Sequence, residues 1–502
     1  MSLYLKSKKI DLGAGKDLFV VVHQSDADDL GITEGEVVLL GYRDVELYVK
    51  VIITDSEVGV GEVGLYEEIT EEYHIPESAK VMIDIPNASK SLEAIKKKIS
   101  GLRLNEEEVL SIMEDIGSRK LKETEVAFFV STFFNPGFNN DEIKWMAKGM
   151  AESGEILDFK YIKNNKELVV DKHSIGGTAG KGITPTLVPM LAATGLVVPN
   201  SSTRAITSPA GTTDILECVM PVALDKKKVY EVVGKVGACM VWGGSLYLAP
   251  ADDEIINVER SLKIQEFQKV LVSIVAKKIA MGVTSVLIDL PYGKGTKLER
   301  PDDLEFLERE FEKLFKEFNI KCVTFRRVVK GPDGNGIGPT LEMRDCLRIL
   351  ERDEKRPLEM EEVVIGMAGE IFEHNGKAKK GEGKKLAQEL LDSGKALKKF
   401  WEIAKAQGAK KVVKANELEG GKLTHEVLAP KDFDIKYICT REIVEIARAL
   451  GTPKIKDAGI YLEKMPGESI KKGEVLMTLF ATTQDRLDDG IKAVDLSKLY
   501  EI

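Results

Sequence analysis

Four stretches of this chain carry residue types that could do chemistry together. In Asp171-Lys172-His173-Ser174-Ile175-Gly176-Gly177-Thr178-Ala179-Gly180-Lys181-Gly182, four glycines fall within seven residues, directly after the apolar run Leu168-Val169-Val170. Glycines let a backbone approach a ligand closely and offer it N–H groups. Lys172, Ser174 and Lys181 add charge and hydroxyl donors, so the loop suits phosphate. It is not a Walker A loop: Ile175 stands where the first glycine is required, and Lys181 is followed by glycine rather than Ser or Thr. The same composition also makes a plain tight turn. His173, beside the loop, is a candidate acid or orienting donor.

The second stretch, Asn200 to Asp214, crowds seven hydroxyls and one arginine, Arg204, into fifteen residues. Hydroxyls and a guanidinium make a donor-rich surface for oxyanions, or a polar loop whose Ser and Thr cap helices. The third, Pro291-Tyr292-Gly293-Lys294-Gly295-Thr296-Lys297, sets two lysines on a Gly loop after another apolar run. These could hold a second phosphate or simply face solvent. The fourth is Glu259-Arg260-Ser261-Leu262, followed by Ser273 and Lys277 at i and i+4 of a helix, hence on one face. A Ser and a Lys so placed can read a base's polar edge; the alternative is an exposed helix surface. Asp252-Asp253 resembles a pair of metal carboxylates, but no His or Cys at ligand spacing supports it, and a structural or hinge role is expected instead.

These residues need elements to position them. Residues 1 to about 86 alternate short apolar runs with Gly and Asp turns and predict a β-rich module. Asn105 before Glu106-Glu107-Glu108, with Val109, Ile112, Met113 and Ile116, predicts a capped amphipathic helix, and a second opens at Asn140-Asp141-Glu142-Ile143. A helical subdomain is expected over 89–154, with about 252–282 joining it. Strands alternating with helices predict an α/β phosphate-binding domain over 165–250 plus about 284–410, with ligand sites off the C-terminal ends of its strands. Residues 411–502 form a β-rich C-terminal part with some helix. The expected fold class is thus α/β multidomain.

Composition bounds the rest. A chain of 502 residues suggests roughly three or four domains. At 43% hydrophobic and 31% charged residues it can bury several cores, which excludes a disordered or fibrous chain. No apolar run approaches the ~20 residues of a membrane helix, and Asp11 breaks the basic N-terminus before any signal-peptide core. Five cysteines, widely spaced, argue for a reducing cytoplasm. The formal charge of −10 disfavours nucleic-acid wrapping but says nothing against a small anion met by local cations.

Taken together, Asp171-Lys172-His173-Ser174-x-Gly-Gly, Ser202-x-Arg204-Ala205-Ile206 and Gly211-Thr212-x-Asp214-x-x-Glu217 resemble the signatures of the thymidine/pyrimidine-nucleoside phosphorylase family, over roughly residues 89 to 500. The N-terminal β module, Thr203 to Ser208, and Gly293-Lys294-Gly295-x-Lys297 are similar to its archaeal AMP phosphorylase branch. That branch cleaves nucleoside 5′-monophosphates with phosphate to free base and ribose 1,5-bisphosphate. The resemblance implies inorganic phosphate at Lys172, Ser174, Thr184, Ser202 and Thr212. It implies nucleotide at Gly177, at Thr203, Arg204, Ala205, Ile206, Thr207 and Ser208, and at Thr212, Ser273 and Lys297. Arg260 and Lys277 match positions where bacterial relatives bind the pyrimidine, and His173 matches the histidine beside the glycosidic bond. No cofactor and no metal are implied, since inorganic phosphate is a co-substrate. The partners are small molecules, with no nucleic acid and no membrane, and the chain forms a homo-oligomer, a dimer or larger.

Two positions depart from the family pattern. Gln265 stands where the branch has an acid, usually Asp, that protonates the leaving base; Glu266 or His173 would then supply the proton. Gly331-Pro332-Asp333-Gly334-Asn335-Gly336 departs from the usual turn, while Gly338-Pro339-Thr340-Leu341-Glu342 fits it. The expected function is phosphorolysis of AMP, with CMP and UMP as further substrates. The alternatives are a phosphorylase of unphosphorylated nucleosides, a phosphoribosyltransferase using diphosphate and magnesium, and a non-catalytic nucleotide-binding relative.

Overall fold

The computed structural model describes residues 2–13, 15, 18–86, 89–159, 162, 168–176, 178–205, 208–262 and 266–501. The chain divides into two compact units, Met1–Glu155 with Leu248–Ala280, and Ile156–Tyr247 with Met281–Ile502.

In the first unit, the short apolar runs become strands β1 (Leu3–Ile10), β2 (Phe19–His23), β3 (Val37–Tyr42), β4 (Val45–Thr54), β5 (Glu62–Tyr66) and β6 (Lys80–Asp84). They close into a barrel in the order β1-β5-β2-β4-β3-β6. Val20, Val22, Val38, Leu40, Val63 and Leu65 fill its interior. Closure was not legible in the runs themselves; it leaves no edge strand to pair elsewhere.

The rest of this unit is helical: Lys90–Ile99, Glu106–Gly117, Glu123–Ser131, Asn140–Glu152, Pro250–Leu262 and Phe267–Ala280. Asn105 and Glu108 cap the second of these reciprocally, and Val109, Ile112, Met113 and Ile116 are buried along its inner face. The Asn140–Glu152 helix opens where the sequence predicts, and Asn139 caps it by accepting from the amides of Asp141 and Glu142. Glu142 is buried and does three things: it accepts from the Lys98 ammonium at 2.8 Å, from the Leu104 amide at 2.9 Å and from the Asn139 amide at 2.9 Å.

The second unit carries five parallel strands: β7 (Val170–Ser174), β8 (Val198–Ser202), β9 (Ala238–Trp242), β10 (Ser285–Tyr292) and β11 (Lys321–Val328). β11, β10 and β7 pair in that order, β8 pairs β9, and a parallel bridge from Val169 to Val197 joins β7 to β8. The strand sequence across the unit is therefore β11-β10-β7-β8-β9. Leu187, Val198, Met240, Leu287, Leu347 and Phe372 share one core among the covering helices. The helix after the first Gly loop spans Ile183–Ala193, with Pro185 tolerated in a first turn whose N–H groups lack partners anyway. The C-terminal part adds an antiparallel sheet in the order Gly336–Ile337, Gly459–Leu462, Val475–Ala481, Leu423–Leu428, with helices Thr440–Leu450 and Gln484–Ala493 against it. The fold is mixed α/β and multidomain, with a helical bundle and an α/β sheet. Among the described residues no helix is long and apolar enough to cross a membrane.

Glu142→Ala would strand a buried ammonium and two amides. We expect it to destabilise the first unit by about 3–5 kcal/mol, with Lys98→Met/Glu142→Leu costing clearly less; denaturant unfolding of both variants checks this.

Candidate functional site

Strand order decides which loops meet. The Gly loop after β7 is flanked by the loop after β10 on one side and the hydroxyl-rich loop after β8 on the other, all at C-terminal strand ends. Register then sets side chains together. Ser174 lies opposite Asp289 in the β7–β10 ladder, and its hydroxyl donates to that carboxylate at 2.6 Å. Asp289 also receives Lys181 at 3.2 Å and the Arg327 Nε at 2.9 Å. Arg327 continues to Asp333 at 3.1 Å, and Asp333 accepts from the Thr178 hydroxyl. The result is one buried chain of charge, Ser174–Asp289–Arg327–Asp333–Thr178, that sews the Gly loop to the loop at 331–336. Gly180 (φ +67°) belongs to this seam: a Cβ there would sit 2.8 Å from the Gly334 carbonyl oxygen.

Burial by itself would raise the Asp289 carboxyl, but Lys181, Arg327 and Lys172 outweigh it and hold the group below the usual carboxylate range. Lys172 fares differently. Its ammonium is buried with no carboxylate at ion-pairing distance among the described residues. Burial, then the nearby Lys181, pushes its pKa down to about 7. Lys172 is thus the cation of this cluster with the most to gain from an anion brought beside it. Thr184 lies buried in the first turn of Ile183–Ala193, where backbone N–H groups favour the same charge.

The second loop is held from within. Asp214 accepts from the amides of Ala205 at 2.7 Å and Gly211 at 2.8 Å, and Ser202 bonds Thr213 at 2.9 Å. Arg204 is engaged by Glu217 at 2.8 Å and lies over the Trp242 ring, so its role here is to brace the loop on which Thr203 is exposed. Ser208 donates to the Ala210 carbonyl, and Thr212 opens the short helix Thr212–Leu216. In the third loop the two lysines part company. Lys294 pairs with Glu501 at 2.7 Å, whereas the stem of Lys297 lies along Gly176 of the first loop.

The first unit holds a second buried charge cluster. Asp252 receives Lys277 at 2.6 Å, the Ser273 hydroxyl at 2.8 Å and Lys269 at 3.2 Å; Lys269 also meets Glu259 at 2.7 Å. Burial opposes ionisation of Asp252, yet the two lysines hold it far below the usual carboxylate range, and Lys277 is raised in turn by Asp252. Ser273 and Lys277 do share one face; Ser273 is buried and Lys277 half-buried. The Asp252 carboxylate is engaged by two lysines and a serine, a structural arrangement. Glu266 caps its helix, accepting from the amides of Gln268 and Lys269; burial, partly offset by those amides, raises its pKa. Arg260 is exposed. Among the described residues no three His, Cys, Asp or Glu side chains are grouped to hold a metal ion. Gly177, Ile206, Thr207 and Gln265 lie outside the described residues.

The chain matches the glycosyl transferase family helical bundle domain over residues 92–154, the a/b domain of that family over 166–397, and the pyrimidine nucleoside phosphorylase C-terminal domain over 435–501. It is 37% identical over 496 residues to an AMP phosphorylase of Methanococcus maripaludis (strain C5), covering 99% of this chain and 96% of that protein. It is 36% identical over 496 residues to AMP phosphorylase 1 of Archaeoglobus fulgidus, covering 99% and 97%. A solved anthranilate phosphoribosyltransferase from Thermus thermophilus is similar over 62% of this chain and 99% of that one, at 20% identity and a TM-score of 0.49. The chain belongs to the archaeal AMP phosphorylase branch of the pyrimidine-nucleoside phosphorylase family.

For a member of this branch, the residues that sequence reasoning passed over are Asp289, Arg327 and Asp333. Asp289 lies within the apolar run of β10, and Asp333 in the turn at 331–336. A charged residue within an otherwise apolar central strand is a usable signal, because burial there demands a partner. Glu342, buried and pushed well up, and Asp345 secure the same turn by accepting from the amides of Gly338 and Gly336.

A depressed lysine is charged below its pKa and neutral above it, so an anion that needs Lys172 is lost as pH rises. With sulfate, whose charge is constant, we expect affinity to be flat below about pH 6 and to fall toward tenfold per unit well above the Lys172 pKa of about 7. Lys172→Arg should flatten the profile, because guanidinium stays charged; calorimetric titration across the range checks both.

Proposed function

We propose that this chain cleaves nucleoside 5′-monophosphates, AMP first, with inorganic phosphate, giving free base and ribose 1,5-bisphosphate. One observation carries the reading: two separate cations serve neighbouring strand ends, Lys172 buried without a carboxylate partner among the described residues and Lys297 laid along Gly176. A substrate pair with two phosphates needs two such provisions. A hydrolase or a phosphorylase of plain nucleosides needs fewer.

In the reaction, an oxygen of inorganic phosphate bonds to C1′ as the bond from C1′ to the base nitrogen breaks, and the bonding pair leaves with the base. Lys172, with Ser174, Ser202, Thr184 and Thr212, holds the nucleophile so that its approach is set before the bond weakens. Positive charge develops on the sugar in the transition state, and the bound phosphate dianion stabilises it. Ser273 and Lys277, fixed by Asp252, serve the base, and Lys297 serves the 5′-phosphate. The leaving base takes a proton or a hydrogen bond at the position of Gln265, or from His173. No cofactor enters this scheme. The same reading makes the protein a cytoplasmic homo-oligomer of two or more subunits.

The test is base release from AMP, CMP or UMP, and from the matching nucleosides, in the presence of phosphate. Release from nucleosides alone overturns the reading. Lys297→Ala should raise the KM for AMP by about ten- to a hundredfold, the scale of a charged hydrogen bond, while leaving adenosine unaffected. Gln265→Asp restores a titrating group and should raise kcat; an unchanged or lower kcat in steady-state assays counts against a missing acid at that position.

A further inference from the structure

The loop that carries Lys297 is shaped by the far end of the chain. Residues 293–297 are closed at their base, where the Gly293 amide donates to the Leu298 carbonyl at 3.0 Å. Their crest is held from the C-terminal part. The Tyr437 hydroxyl donates to the Lys294 carbonyl at 2.9 Å, and the Lys294 ammonium sits 5.3 Å above the Tyr437 ring. Glu501, whose strand pairs with that of Tyr437, takes the same ammonium at 2.7 Å. Gly295 is there because the tyrosine is: a Cβ on it would lie 2.5 Å from the Tyr437 hydroxyl oxygen. Glu299 accepts from the Gly295 amide at 2.9 Å and is approached by Arg441 at 3.9 Å, again from the C-terminal part.

These contacts withdraw one lysine of the loop and fix the backbone from which the other projects. We infer that Tyr437, supported by Glu501, is a positioning residue that sets Lys297 for a 5′-phosphate, so that the C-terminal part selects phosphorylated over unphosphorylated nucleosides. The inference rests on the reading of Lys297 given above. The Lys294–Glu501 pair is exposed and contributes little energy; the Tyr437 hydroxyl, on a largely buried ring and bonded to backbone, is the stronger constraint.

The experiment is a cycle of Tyr437→Phe and Lys297→Ala in the full-length protein, reading KM for AMP, adenosine and phosphate by base release and Kd for AMP by calorimetry. Tyr437→Phe should raise KM and Kd for AMP about three- to tenfold, as loss of one hydrogen bond does, with the constants for adenosine and phosphate moving less than about twofold on the same scale. In the Lys297→Ala background the substitution should have no further effect on AMP. An unchanged constant for AMP, equal losses for AMP and adenosine, or an effect that persists without Lys297 would overturn the inference. A wild-type protein that binds AMP but releases no base would overturn the proposed reaction instead, and the Kd cycle would still decide the role of Tyr437. A wild-type protein that does not bind AMP overturns both.

Discussion

The anion-facing half of this protein depends on how the Asp289 carboxylate is satisfied. It lies on a central strand with no access to water, and an isolated charge there would be prohibitively costly. Lys181, Arg327 and Ser174 meet that requirement, and each belongs to an element that must be in place for the contact to form. The Gly loop, which has few side chains of its own to hold it, is thereby anchored by its lysine and its serine. Arg327 passes the constraint to Asp333 and so to the turn at 331–336, which also pairs into the C-terminal sheet through Gly336–Ile337. Asp289 and Asp333 are engaged by Lys181 and Arg327, and Lys172 is left without a carboxylate at ion-pairing distance among the described residues.

The first unit also buries a carboxylate among cations. Asp252 is one carboxylate for two lysines and a serine, with Glu259 completing the balance around Lys269. Here the charges do close, so Ser273 and Lys277 are fixed in place rather than left in want of an anion. This also resolves how a chain of formal charge −10 handles phosphorylated substrates. Net charge is a property of the whole surface, whereas affinity for a small anion is set over a few ångströms by groups shielded from solvent.

Much of this site was legible from residue types. The first loop shows itself because glycines, lysines and hydroxyls seldom crowd together after an apolar run, and Ser273 with Lys277 because a helix repeats every 3.6 residues. Other assignments depended on partners that residue types do not reveal. Arg204 reads as a ligand for anions until Glu217, thirteen residues on, is seen to hold it. Glu266 reads as a spare acid until its carboxylate is seen to cap a helix. Lys294 and Lys297 are equivalent in sequence, and only Tyr437 and Glu501, more than a hundred residues away, make one a fastener and leave the other over Gly176.

The sequence by itself determined the α/β class, the capped helices, the Gly-rich and hydroxyl-rich loops and the family they belong to, because each of these is written in local spacing. Tertiary structure alone decided that the apolar runs of the first eighty-odd residues close into a barrel, that β10, β7 and β8 lie side by side, and that Asp289 falls opposite Ser174. Strand order and register are set by which faces bury the most apolar surface at once, a property of the whole chain rather than of any window of it. The same is true of charge: which lysine is paired and which is left wanting an anion depends on groups brought together only when the sheet forms.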